Sequence, residues 1–517
     1  MRTPWQRNVT LAAAIVLLGC GGMPQSARRT TVAADQFRTL DRKSPFLKAH
    51  LKSGEVAVLS TWTEDDVARV VTGEGERLDV NRRSLAKGEQ RIALDSVALF
   101  ETNVAGAHGS VAALAVMTGA SVALTAYCIA NPKACFGSCP TFYMVDSTGQ
   151  HLAAEGFSSS VSPALEATDV DALGPAPAAS RTLTLTMRNE ALETHNVRWA
   201  DLLAVPHRDG ERVFADRAGT FWRANAIVAP TSCTAVEGDC LAKVRVLDGL
   251  ERFSTADSND LARREFVDIV FPAPANGQEQ FALVIGSRQT LLSTFLFYQT
   301  LSYMGREAVP MLAALQRGGP AARAQALGIE HAMGAIEILA RDSAGAWRVV
   351  GETGESGPLA SDVQAVVLPV AGEGPVRLRL RMARGHWRLD YLALAHITGT
   401  ATALRVRPHR VRRDGHDDAG ALSLLLDDAR FLTTLPGDDY TLEYQLPEVG
   451  SRYELFLESR GYYLEWMRSE WLAEENAERA MMMITDPSRA LRELAPAFKQ
   501  LERRMEADFW GSRYVRH

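Results

Sequence analysis

The chain of 517 residues carries a formal net charge of -6, with 46% hydrophobic and 23% charged residues. That length exceeds one ordinary core, so roughly two to four domains are expected, and the composition is globular rather than disordered or multi-span membrane. The acidic balance removes the electrostatic case for nucleic-acid binding, which needs a basic face to displace phosphate counterions.

At the N-terminus two arginines lie within Met1–Arg7, an apolar run follows over Asn8–Leu18, and Leu17-Leu18-Gly19-Cys20 comes next. Charge, apolar length and a small residue at the cleavage point predict a secretory signal peptide over 1–19. The LLGC run resembles the lipobox of bacterial lipoproteins. That resemblance implies that Cys20 is acylated and anchors the protein in a membrane, and Gly21 after it implies the outer membrane of a Gram-negative host. The polar, basic stretch 20–45 then reads as a lipidated tether.

Residues 46–105 alternate in short runs punctuated by Gly54, a GEGE turn and Lys87-Gly88, as in a small β domain. A hydrophobic helix is expected over 106–131. Its charge-free core Val111–Ile129 is long enough for a bilayer, yet alanine, glycine, serine and threonine make it only marginally apolar. Ala115, Gly119 and Ala123 recur every four positions and permit close helix packing. Burial within the protein, or self-association of copies through 111–129, is preferred to insertion, which conflicts with export to an outer membrane.

Beyond Cys20 the cysteines are Cys128, Cys135, Cys139, Cys233 and Cys240. In an oxidising compartment, Cys135 with Cys139 and Cys233 with Cys240 are the disulfide candidates, leaving Cys128 as a buried thiol. No C-x-x-C or His-paired spacing supports a metal site.

Residues 132–280 read as a β-rich domain containing the cysteine turn CFGSCPT. Arg181–Met187 alternates strictly, and the NEALETH segment, Asn189–His195, follows it. On a strand Glu193 and His195 share a face, as a metal pair or an acid–base pair would require, and Glu190 stands beside them. With no third ligand visible from spacing, a structural hydrogen-bonding role is preferred for these polar-site candidates. Gly156–Ser160 lacks the second glycine of a nucleophile elbow, and no H-E-x-x-H, phosphate loop, dinucleotide fingerprint or EF-hand loop occurs. No catalytic residue, metal or cofactor is therefore assigned.

A helical segment and linker are expected over 281–320, then a jelly-roll-like β-sandwich over 321–446 with five strand runs between Ile336 and Ile397. Its turns, with Trp347 and Trp387, resemble galactose-binding jelly rolls, whose tip loops bind glycans. The resemblance makes both tryptophans glycan-platform candidates, although a tryptophan on an alternating strand is more often core. The basic cluster Arg405–Arg413, balanced by Asp414, Asp417 and Asp418, reads as a solvated loop. C-terminal helices are expected over 447–517, including the aromatic stretch GYYLEWMRSEWL. A helix start is marked by Asp486-Pro487, with an apolar stripe through Leu491, Leu494, Phe498, Leu501 and Met505.

The expected fold is mainly β, several antiparallel sandwiches and a small barrel, with a hydrophobic helix after the first domain and helices at the C-terminus. Through LLGC, CFGSCPT and NEALETH the chain resembles the uncharacterised bacterial lipoproteins that pair such a cysteine turn with β-rich domains, a resemblance that brings no activity. The expectation is an exported, lipid-anchored cell-envelope protein with a non-enzymatic binding or assembly role. Its partners would be the membrane, through Cys20, and an envelope protein or glycan. A glycan-binding surface lipoprotein and an envelope hydrolase are the alternatives; the hydrolase requires Glu190, Glu193 and His195 to converge in one pocket.

Overall fold

The computed structural model describes residues 26–44, 46–51, 55–65, 67–78, 84–106, 139–146, 149–176, 181–191, 193–273, 280–308, 328–341, 344–354, 356–369, 374–446, 452–465 and 474–512. The signal peptide, Cys20, the 111–129 segment, Cys128 and Cys135 lie outside them. The chain is mainly β, in several sheets that among the described residues are antiparallel but for one parallel pairing, with helices that include C-terminal ones.

The first sheet is larger than the alternation predicted. Ser26–Ala33, expected within the tether, pairs antiparallel with Val97–Gly106 and forms the edge of a sheet that continues through Leu47–Leu51, Val56–Leu59 and Val70–Leu78. Phe37 and Leu40, also in the expected tether, close its small core with Leu47, Leu59 and Phe100.

The next sheets form a sandwich built from two distant parts of the chain. Sheet I orders His416–Asp417, Pro408–Arg413, Asp439–Gln445, Thr182–Arg188, Thr141–Asp146 and Gly149–Glu155. Sheet II is centred on Glu193–His207 and Arg452–Glu465, flanked by Ala167–Pro175 and Leu404–Val406. The alternation of Thr182–Arg188 turns Leu183, Leu185 and Met187 inward, where they meet Leu202, Leu442 and Leu457. Burying each such leucine is worth about 1.5–3 kcal/mol relative to exposure.

Between the two halves, residues 208–401 form an inserted unit. A closed barrel joins Arg212–Ala215, Phe221–Val228, Trp387–Ala401, Phe281–Gln289 and Asp362–Val367. Closure comes from the parallel pairing of Ala215 with Gln364. Sheet III packs on it with Val376–Ala383 and Arg264–Phe271 at its centre, and both share the core of Trp387, Leu283, Ile285, Ile269 and Leu380.

Several segment boundaries move accordingly. All five strand runs between Ile336 and Ile397 form, but three join sheet III and two join the barrel. Phe281–Gln289, expected as helix, is a strand enclosed between two barrel neighbours, and helix begins only at Leu292–Met304. A fully enclosed strand is apolar on both faces and loses the alternation that would identify it. Arg452–Glu465, expected within the C-terminal helices of 447–517, is a strand, held in sheet II by antiparallel pairing along its whole length with Glu193–His207. The basic cluster is likewise no loop. Leu404–Val406 and Pro408–Arg413 are strands, and the arginines in and between them pair with Glu458, Asp428, Asp417, Glu443 and Asp438.

Helices Leu292–Met304, Ala477–Thr485 and Pro487–Ser512 share a further core, to which Leu491, Leu494, Phe498, Leu501 and Met505 belong. Asp486 caps the last helix by accepting from the Arg489 amide at 3.1 Å. No helix among the described residues is long and apolar enough to cross a membrane.

Candidate functional site

Cys139–Thr141, the last residues of the CFGSCPT motif, and the NEALETH segment enter one region, the junction where the sandwich meets the inserted unit and the helices. Glu193 and His195 share a face at the start of Glu193–His207, opposite Glu465 and Tyr463 of the neighbouring strand. Both side chains are fully enclosed, with Glu193 Oε1 3.8 Å from His195 Nε2. The His195 and Tyr463 rings meet edge-on at 6.4 Å. Tyr463 donates to the Ser158 carbonyl at 3.1 Å, and Tyr298, from helix Leu292–Met304, donates to Glu465 Oε1 at 2.7 Å.

Glu190 is held differently. Its Oε2 accepts from Thr141 at 3.0 Å and from the Tyr143 hydroxyl at 2.6 Å, which ties the NEALETH turn to the strand following the cysteine turn. Asn189 completes the turn by donating to the carbonyls of Glu193 and Thr434 at 3.0 and 3.2 Å.

Cys139 is a free, buried thiol rather than half of a bridge with Cys135. Its Sγ donates to Glu155 Oε1 at 3.4 Å, while the Leu359 amide donates to Glu155 Oε2 at 2.7 Å. Gly357 is required here, since a Cβ would run into the same carboxylate. The Glu155 carboxyl is thus held between the Leu359 amide of the inserted unit and the Cys139 thiol.

Burial pushes Glu155 up to about 7 despite the amides and thiol that bond it. The Cys139 thiol is pushed up by burial first, then by Glu155 and Glu193, away from the thiolate a nucleophile needs. Beside Glu155, Asp171 is raised by burial and then by Asp169, Asp362 and Glu155 in turn. Asp362 is raised by burial too, although it accepts from the Ala172 amide at 2.9 Å. Among the described residues no group of three or more His, Cys, Asp or Glu side chains could hold a metal ion.

Cys233 and Cys240 do form a disulfide, with Cα atoms 5.1 Å apart. Trp387 is corrected as a glycan platform: only 2% exposed, it fills the core between barrel and sheet III. Trp347 is half-buried, with the Arg341 and Arg379 guanidinium groups 5.1 and 4.7 Å from its ring centre.

Sequence reasoning missed Glu155, Asp171, Asp362, Tyr298, Tyr463 and Glu465. The one local signal was Asp169-Val170-Asp171, two acids at strand spacing on one face. Tyr298, Asp362, Tyr463 and Glu465 arrive from segments more than a hundred residues further along the chain.

No family model and no curated protein matches the chain. Among solved structures it is similar to that of the infectious bursal disease virus Gx strain at 9% identity and a TM-score of 0.13, covering 72% of this chain and 82% of that one. It is also similar to the secreted serine protease VesC from Vibrio cholerae at 9% identity and a TM-score of 0.12, covering 72% and 99%. Likeness at that level carries no argument about fold or activity.

Proposed function

We propose that the protein is a lipid-anchored component of the cell envelope, held in the outer membrane through Cys20, whose β-rich ectodomain binds or assembles with other envelope components. The observation that carries this reading is the Cys233–Cys240 disulfide, which fits an oxidising, extracytoplasmic compartment. The export signal and LLGC run point the same way. Two features of the junction favour binding over catalysis. Glu190 is committed to Thr141 and Tyr143, and the Cys139 thiol is held protonated against Glu155.

Alkaline carbonate extraction of cell membranes tests the anchor. Wild type stays with the membrane, and Cys20→Ala moves to the soluble fraction. A variant that resists extraction would overturn the lipid as sole anchor and make 111–129 an inserted segment.

A further inference from the structure

Three segments meet at the junction through four carboxyl groups. Asp171, on the edge strand Ala167–Pro175 of sheet II, accepts from the Glu155 amide, and Asp169 on the same strand accepts from the Phe157 amide. Asp362, on the barrel strand Asp362–Val367, accepts from the Ala172 amide of that edge strand at 2.9 Å. Glu155 closes the circuit by accepting from the Leu359 and Ala360 amides of the inserted unit. Residues 155–157, 169–172 and 357–362 are therefore tied to one another pairwise, in every case by a carboxyl of one segment on the backbone of another.

The strand at the centre of this circuit depends on it. Ala167–Pro175 pairs on one side only, with Arg452–Glu465, and a bulge between Ala172 and Gly174 interrupts that ladder. Its one buried side chain is that of Asp171, where an edge strand ordinarily turns apolar groups inward. The cations on the surrounding elements are engaged elsewhere: Arg212, Arg217, Arg288 and Arg460 pair with Glu454, Glu352, Glu251 and Glu166. The other titratable groups at this place are the Cys139 thiol, bonded to Glu155, and Glu193, which acts on that thiol. Burial raises all four carboxyls, Glu155 and Asp169 to about 7, and neighbouring carboxyls raise Asp169 and Asp171 further.

Ionising any of these groups sets a buried charge among other carboxyls with no cation to meet it. The docked arrangement favours the neutral forms, so its hold is strongest in acid and is lost as pH rises through about 7. We infer that the Glu155, Asp169, Asp171 and Asp362 carboxyls form a pH-sensitive clasp, which holds Ala167–Pro175 between the sandwich and the inserted unit while they are neutral and releases it as they ionise. Release leaves the Arg452–Glu465 edge unpaired, with free backbone groups of the kind onto which a further strand adds. The inference does not rest on the envelope reading.

The test is amide hydrogen exchange on the full chain carrying Cys20→Ala, read peptide by peptide and corrected for the intrinsic rate at each pH. A carboxyl titrating at about 7 when docked and about 4 when released lowers protection about thirtyfold between about pH 5.5 and about pH 8.5, and that loss is expected over 155–175. At the higher pH these amides should exchange at least about tenfold faster than those of Arg264–Phe271 in sheet III, and with little dependence on dilute denaturant, because a local opening exposes little surface. Asp169→Asn/Asp171→Asn, which keeps an oxygen acceptor at each position without the charge, should hold 155–175 protected at the higher pH. Protection over 155–175 that does not fall with pH overturns the inference. So does protection that matches Arg264–Phe271 in rate and denaturant dependence, since the strand would then open only with the whole fold. Both readouts come from the parent chain and stand even where the double variant fails to fold; a folded double variant that opens as the parent does overturns the inference as well.

Discussion

The inserted unit and the junction below it bury charge by opposite means. Arg252 is fully enclosed, yet it donates to Glu237 and, at 2.9 Å, to both oxygens of Glu265, which Ser254 also bonds at 2.7 Å. Burial alone would lower its pKa, but these bonds raise it, so the charge persists. Arg288 and Arg388 share Glu251 and Glu506 in the same way. At the junction the charges acting on Asp171 are those of other carboxyls, Asp169, Asp362 and Glu155. There burial and neighbouring carboxyls both favour the neutral form, with no ion pair to oppose them. The difference teaches that one region is insensitive to pH and vulnerable to loss of a partner, whereas the other needs no partner and responds to pH.

Arg252→Met breaks the paired region most severely. It strands the enclosed Glu265 carboxylate and should destabilise the protein by about 3–5 kcal/mol in denaturant unfolding, part of which Glu265→Gln added to it restores. A loss below about 1 kcal/mol would show that the pairing is incidental to stability.

The second break is in the pH response. An ordinary glutamate titrates near 4.5, while Glu155 in the fold titrates near 7. Between those values the folded state holds a proton that the unfolded chain has released. The stability due to the neutral carboxyl is therefore present at low pH and lost as pH rises through about 7. Wild type should lose roughly 2–3 kcal/mol from this group between about pH 5 and pH 8, a loss that Glu155→Gln escapes. Parallel pH–stability curves for the two proteins would erase the contrast between the regions.

The smallest effect sharpens the comparison. Replacing Cys233 and Cys240 with serine frees the hairpin that aims Glu237 at Arg252. The short loop predicts a loss of about 2 kcal/mol, read as a lower thermal midpoint under non-reducing conditions. In the Arg252→Met background the loss should shrink if the bridge acts partly by holding Glu237 in place.

Much of the local structure was legible because it rests on nearest neighbours. Strict alternation marked Thr182–Arg188, Asp486-Pro487 marked a helix start, and the turn between Cys233 and Cys240 marked a bridge. For the candidate site, the shared face of Glu193 and His195 follows from strand geometry and could be read directly. Their company could not. Tyr298, Tyr463, Glu465 and the 357–360 loop carry no signal that they belong beside the cysteine turn.

By itself the sequence determined which side chains each strand turns inward, since the period of two and the preference of apolar groups for burial are local properties. It also determined the short-range closures, where few residues separate the partners. Only the tertiary structure decided which strands are neighbours. Leu185 faces Leu442 across sheet I while the inserted unit occupies the chain between them, and alternation names a buried face without naming its partner. The same long-range pairing enclosed Glu155 and Asp171 together, and burial rather than composition raises the pKa of both carboxyls.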